Sequence, residues 1–178
     1  MDSRNPLIET PRLRMRPHRL DDFDDMATMW ADPRVVEHIT GTPSTREQSW
    51  ARLLRYAGHW AMIDFGYWAV EERESGAFIG ESRLCRLSPR NRAVPGRNAG
   101  ARMVLAPRAH GKGYATEAAC AAIAWGQEHF PSVPQIACIM VPEHHASIRV
   151  AEKCGFTLWT QTIYLDSPIL MYKRSLLS

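Results

Sequence analysis

The sequence predicts a mixed α/β (α+β) domain, and three observations carry that prediction. Residues 10–17 alternate arginine with apolar side chains, the period of a half-buried strand. Residues 21–30 and 50–61 instead repeat their apolar positions at helical spacing. Between 101 and 125 an apolar run feeds a glycine turn, and the turn feeds an alanine-rich helix.

The elements follow in order. In the first strand, Arg12, Arg14 and Arg16 share one face. That face reads as solvated; the sharper alternative is a nucleic-acid stripe. Asp21 and Asp22 precede Phe23, Met26, Met29 and Trp30, an amphipathic helix with acids in its first turn, stopped by Asp32-Pro33. Ser44 or Thr45 caps a second helix, with Glu47 as the box partner of Ser44. Its apolar face is Trp50, Leu53, Leu54, Ala57 and Trp60 or Ala61. Residues 66–72 and 77–84 form a hairpin over Glu74-Ser75-Gly76, and Gly80 inside the return strand signals a bulge or a close backbone approach. Residues 88–97 make an exposed basic loop. With Arg83 and Arg86 it concentrates positive charge suited to an acidic acceptor or partner, although a solvated loop is the default.

A central strand at about 98–106 leads into the glycine turn, and the next helix, about 113–129, stops before Pro131. Its small residues Ala115, Ala118, Ala119 and Ala122 allow close packing. Residues 135–141 are almost wholly apolar, a strand covered on both faces. Ser147 caps the helix 148–154, and Gly155 takes the left-handed position that ends it. Two strands, about 156–165 and 169–174, close the chain. The sum is six or seven strands and about four helices in one domain spanning 1–178, with no repeat or linker.

Composition narrows the function classes. With 178 residues, 45% hydrophobic and 23% charged, the chain reads as a soluble globular protein. No apolar run approaches the roughly 20 residues of a membrane helix, and no secretory signal is recognisable, so the expected setting is cytoplasmic. Cys85, Cys120, Cys138 and Cys154 show no metal-ligand spacing and read as reduced thiols in apolar surroundings. A net charge of +3 is too small to argue for nucleic acid.

The chemistry concentrates in Arg108-Ala109-His110-Gly111-Lys112-Gly113-Tyr114-Ala115-Thr116. A strand, a glycine turn and a helix start leave backbone amides without helical partners, and the helix dipole adds to their attraction for an anion. A Walker loop fails here, because Ala106 stands at its first glycine and Gly113 follows Lys112 in place of Ser or Thr. A dinucleotide fingerprint fails too: Thr116 occupies its third glycine, and no acidic residue lies between 129 and 142. What remains is Arg-x-x-Gly-x-Gly, met by Arg108, Gly111 and Gly113.

That loop resembles the acetyl-CoA pyrophosphate loop of the GNAT acetyltransferases. The stretch 146–156, ending Glu-Lys-Cys-Gly-Phe, is similar to the family's second signature. Residues 10–16 and the Gly76-Ala77-Phe78-Ile79-Gly80 hairpin resemble the Rim-like subgroup, which includes ribosomal-protein N-terminal acetyltransferases. The order of elements is the GNAT order over essentially the whole chain. The resemblance implies a mostly antiparallel sheet splayed between its fourth and fifth strands, acetyl-CoA as cofactor, and a small-molecule amine or protein N-terminus as acceptor. Dimers are common in similar proteins, so a homodimer is compatible with it.

Residue by residue, the resemblance implies that amides from Gly111 to Thr116 hold the pyrophosphate, with Arg108 and Lys112 adding charge. The pantetheine arm would pair with Met103, Val104 and Leu105, and an amide near Val104 would polarise the thioester carbonyl. Three positions depart from the pattern. Gly100 stands where many subgroup members carry a glutamate, leaving Glu81 on the preceding strand as the substitute base. His144 replaces the asparagine that contacts pantetheine. Ala151 replaces a frequent tyrosine acid, which makes Ser147 the candidate proton donor to the thiolate. Histidine is a side-chain type able to serve as a base, and among His110, His144 and His145 no spacing singles one out. These departures motivate the alternative of a non-catalytic acyl-CoA-binding module.

Overall fold

The computed structural model describes residues 6–63, 65–84, 102–130, 133–164 and 166–176. Along them run β1 (Ile8–Glu9), β2 (Leu13–Pro17), α1 (Phe23–Ala31), α2 (Pro33–Val36), α3 (Arg46–Ile63), β3 (Tyr67–Glu72), β4 (Phe78–Arg83) and β5 (Arg102–Leu105). Then come α4 (Tyr114–His129), β6 (Gln135–Met140), α5 (His145–Lys153), β7 (Thr157–Tyr164) and β8 (Ser167–Ser175). The extra strand relative to expectation is the two-residue β1. The extra helix, α2, has a simple cause. Asp32-Pro33 stops α1 as expected, but Asp32 then accepts from the Arg34 amide at 2.9 Å and Pro33 takes the first helical position. One dipeptide thus ends one helix and starts another.

Strands β1 to β5 form one antiparallel sheet in chain order, and β6-β8-β7 form a second. No ladder joins β5 to β6 among the described residues, so the two sheets part where the expected splay lies. Gly80 shows why a side chain is excluded from β4 at that point. A Cβ there would sit 2.2 Å from the Val104 carbonyl oxygen of β5, and the β3–β4 register shifts at Val70/Glu71 alongside it. The basic loop 88–97, Arg86, Cys85 and Gly100 lie outside the described residues.

The period of two along β3 sorts the core into two layers. Trp68 and Val70 face α4 with Leu105, Ile123, Trp125 and Ile136. Tyr67 and Ala69 face α1 and α3 with Met26, Trp30, Leu53, Tyr56 and Val104. Trp30 and Trp68 are buried completely, each an apolar contribution of about 2–3 kcal/mol.

On the arginine face of β2, Arg12 and Arg14 are exposed as the sequence suggests, and Arg16 alone is buried. Arg12 pairs with Glu117 at 2.6 Å, Arg14 with Glu9 at 3.0 Å, and Arg16 is buried between Asp22, at 2.7 Å, and Glu71. Burial pushes the Asp22 carboxyl up, but hydrogen bonds from Arg16 and the Arg19 amide outweigh it and hold it below its ordinary value. Two caps also differ. The box that starts α3 is Thr45 with Gln48, at 3.1 and 2.9 Å, in place of Ser44 with Glu47. Helix α5 begins at His145, two residues before Ser147, so Ser147 lies inside its first turn. The expected end of α5 is present: Gly155 has φ 79°, and the Phe156 amide donates to the Ala151 carbonyl at 3.0 Å.

Candidate active site

The glycine turn is built as the sequence demands. Gly111 and Gly113 take φ 75° and 79°, values that strain any residue with a Cβ. Gly113 is the N-cap of the 16-residue α4 and offers no side-chain cap. The amides of Tyr114, Ala115 and Thr116 therefore point out of the first turn without helical partners. Nothing lies within 4 Å of where a Cβ of Gly111 would stand, so the approach to the turn is open.

Side chains hold the turn from behind. Arg12 donates to the Lys112 carbonyl at 2.8 Å and, through Nε, to Glu117 at 2.7 Å. Arg108 donates to the Phe78 carbonyl, so its guanidinium ties the turn to β4. The Tyr114 hydroxyl donates to Glu72 at 2.5 Å, and the Lys112 ammonium lies 5.8 Å from the Tyr114 ring. Of the two expected cations, Lys112 is the one without such an anchor. The His110 ring lies 2.9 Å from the Leu105 carbonyl, tying the turn to the end of β5.

The edge of β5 is divided by pairing alternation. The Ala106 amide donates to Ile79 at 2.9 Å, and Val104 stands opposite Glu81 in the same register. Antiparallel pairing alternates, so the Val104 amide also points into the sheet. The amides of Met103 and Leu105 face the opening between β5 and β6. Of the expected trio, Val104 is the residue turned away.

Glu81, the candidate base, does not face solvent. It is 1% exposed. Trp30 Nε1 donates to its Oε1 and the Tyr56 hydroxyl to its Oε2, each at 3.2 Å. His18 Nε2 stands 3.7 Å away, and neither nitrogen of that buried ring has a hydrogen-bond partner. Burial and the nearby Glu81 charge push the Tyr56 phenol well above its ordinary value, so it remains a donor. Sequence reading missed Tyr56, Trp30 and His18 as partners. Of these only Trp30 was visible on a helix face, and the Tyr56 and Trp30 contacts span 25 and 51 residues from Glu81.

A second cluster lies at the start of α5. The Ser147 hydroxyl and His144 Nδ1 are 3.0 Å apart, and the His38 ring packs on His144 at 4.7 Å. Burial, then the His38 and His110 charges, hold His144 below its ordinary value of 6.5, against a smaller opposing pull from Glu37. His38 and His144 thus pack together, whereas His145 is exposed. Ala151 is buried, which leaves Ser147 as the hydroxyl on that turn. Among the described residues no His, Cys, Asp or Glu group is arranged to hold a metal, and no helix is long and apolar enough to cross a membrane.

Comparison with known proteins bears on this geometry. Residues 12–157 match the family model described as "Acetyltransferase (GNAT) domain". The uncharacterized protein YkkB of Bacillus subtilis is 28% identical over 98% of both chains. An acetyltransferase from Agrobacterium tumefaciens superimposes with a TM-score of 0.78 at 25% identity, covering 95% of this chain and 94% of that one. RimL, a ribosomal L7/L12 α-N-protein acetyltransferase solved with coenzyme A, has a TM-score of 0.78 at 13% identity, covering 95% and 97%.

Proposed function

Because the chain belongs to the GNAT acetyltransferase family, we propose that it is an acetyl-CoA-dependent N-acetyltransferase, a single domain acting on a small-molecule amine or a protein N-terminus. The observation that carries the reading is the left-handed Gly111–Gly113 turn, placed where the free edge of β5 runs into the α4 amides. The site fits the cofactor. Outward amides and helix dipole suit a diphosphate, and the opening between β5 and β6 suits an extended arm that pairs like a strand.

When bound, acetyl-CoA supplies a thioester whose carbonyl carbon an amine attacks while the thiolate leaves. The chain's own groups do the rest. The Tyr114, Ala115 and Thr116 amides hold the diphosphate, and Lys112 adds charge. The Met103 and Leu105 amides hold the arm, and one of them donates to the carbonyl oxygen as negative charge grows there. Glu81 accepts the amine's proton through water, its carboxylate oriented by Trp30 and Tyr56. Ser147, its hydroxyl 3.0 Å from His144 Nδ1, returns a proton to the sulfur and regains one from solvent.

The buried thiols Cys138 and Cys154 fit a reducing, cytoplasmic setting. The exposed Leu158, Trp159 and Ile163 of edge strand β7 are the surface on which to test for a homodimer by sedimentation.

A thiol-release assay with acetyl-CoA and an amine panel tests the enzyme reading; turnover on at least one amine is expected. No turnover with coenzyme A demonstrably bound would leave the acyl-CoA-binding module as the surviving function. Absence of coenzyme A binding would remove both.

A further inference from the structure

Beyond Glu81, the α1–α3 face carries arginines that no carboxylate among the described residues neutralises. Arg83 and Arg102 stand directly opposite each other on β4 and β5. Like charges paired across strands destabilise a sheet, so such a pair needs an external reason to persist. Arg83 donates to the Tyr67 hydroxyl at 2.9 Å, yet its buried Nε has no partner among the described residues. Tyr67 in turn stacks on Tyr56, at 3.6 Å between rings, and Tyr56 donates to Glu81.

From α3, Arg52 lays its guanidinium on the Trp30 indole at 3.6 Å and donates to Ser44 at 3.3 Å. Burial pulls Arg52 down from its ordinary value; the Glu81 charge opposes that pull, and Arg55 and Arg102 reinforce it. An arginine stays cationic regardless. Among the described residues neither Arg52 nor Arg55 has a carboxylate within ion-pair distance. Both line a cleft of about 410 Å³, together with the polar side chains of Thr40, Thr42, Ser44 and Gln48. A half-buried guanidinium facing hydroxyls and no carboxylate is an incomplete ion pair.

We propose that this cleft is an anion subsite of the acceptor site, so that the preferred acceptor is an amine carrying a carboxylate or phosphate group. The inference rests on acetyl transfer to an amine as read above. One indole ring separates the two ends of such an acceptor. Trp30 donates its N–H to Glu81, the proposed base, while its face carries Arg52. The amine is thereby directed to the carboxylate that takes its proton, and the anion to the guanidinium. Arg55 in the cleft lining and the charge of Arg102 on β5 add positive field, and a positive cleft also speeds capture of an anionic substrate.

The test compares matched amines that differ in one anionic group: aminoalkyl phosphates against the parent aminoalcohols, and ω-amino acids against their amides. The anionic member is expected to have at least tenfold higher kcat/KM, an advantage that shrinks as salt rises. Whichever of phosphate and carboxylate gains more identifies the natural group. Arg52→Met should abolish the advantage and Arg52→Lys keep part of it, while acetyl-CoA KM stays unchanged. Because Arg52 also packs on Trp30, Arg102→Gln on the exposed strand end serves as a second variant and should reduce the advantage. A separate readout needs no turnover: with coenzyme A bound, aminoalkyl phosphate should raise the melting temperature of the wild type and not of Arg52→Met. Equal kcat/KM for both members, or an advantage untouched in Arg52→Met and Arg102→Gln, overturns the subsite. Should no amine be acetylated, an Arg52-dependent thermal shift would keep the subsite and remove catalysis, and no shift would remove the subsite as well.

Discussion

The two faces of the five-stranded sheet solve different problems with different material. On the α4 face the proposed cofactor site is made of main-chain amides, two left-handed glycines and a strand edge without a neighbour among the described residues. On the α1–α3 face the proposed chemistry depends on side chains: Glu81 between Trp30 and Tyr56, with Arg52 beyond them. A backbone site fits any chain that binds the same diphosphate, whereas a side-chain site sets which acceptor is taken. If that division is right, damage to one face should leave the other's kinetic constant alone.

The largest expected effect is on Glu81. Glu81→Gln should lower kcat by roughly 10²- to 10⁴-fold, the range of a lost general base, with no change in coenzyme A affinity by titration. A parallel loss of affinity would break the division. Tyr56→Phe comes next. It removes one of two donors to a buried carboxylate, about 1.5–3 kcal/mol of stability by denaturant unfolding.

Gly113→Ala tests the opposite face. Holding an alanine at φ 79° costs about 1–2 kcal/mol. Acetyl-CoA KM should therefore rise about tenfold, with kcat at saturation preserved. The smallest effect expected is one of pH on stability. His144 is held below its ordinary 6.5 in the folded chain, so its neutral form is favoured by folding. That contribution is present above pH 6.5 and is lost as pH falls through the depressed value. Melting temperature between pH 7.5 and 5.5 should fall more for the wild type than for His144→Asn.

The same contrast explains what could be read from the chain. The glycine turn, the α5 terminator at Gly155 and the close approach at Gly80 are local events, and their residue types announce them. Parting of the sheets came from the family resemblance, and the structure has it in the expected place. The acceptor face was not legible, because α3 brings Arg52 and Tyr56 to β4 by packing that no local spacing encodes. Glu81 illustrates the limit: its strand was clear, but its burial depends on helices far away in sequence. Arg16 misled for a similar reason. Alternation placed it on an outer face, and only Asp22 and Glu71 together make that face internal. Ser44 and Thr45 were both plausible caps, and pairing of Thr45 with Gln48 decided between them.

The missing ladder between β5 and β6 has a dynamic consequence. In most sheets the interior amides are the slowest to trade their hydrogens with water, yet here two of them, on Met103 and Leu105, have no strand across from them among the described residues. Deuterium should label these early, in alternation with slow neighbours Val104 and Ala106. A thioester arm threaded along that seam would silence them, so the rhythm of labelling along one short strand would record whether the empty place has been filled.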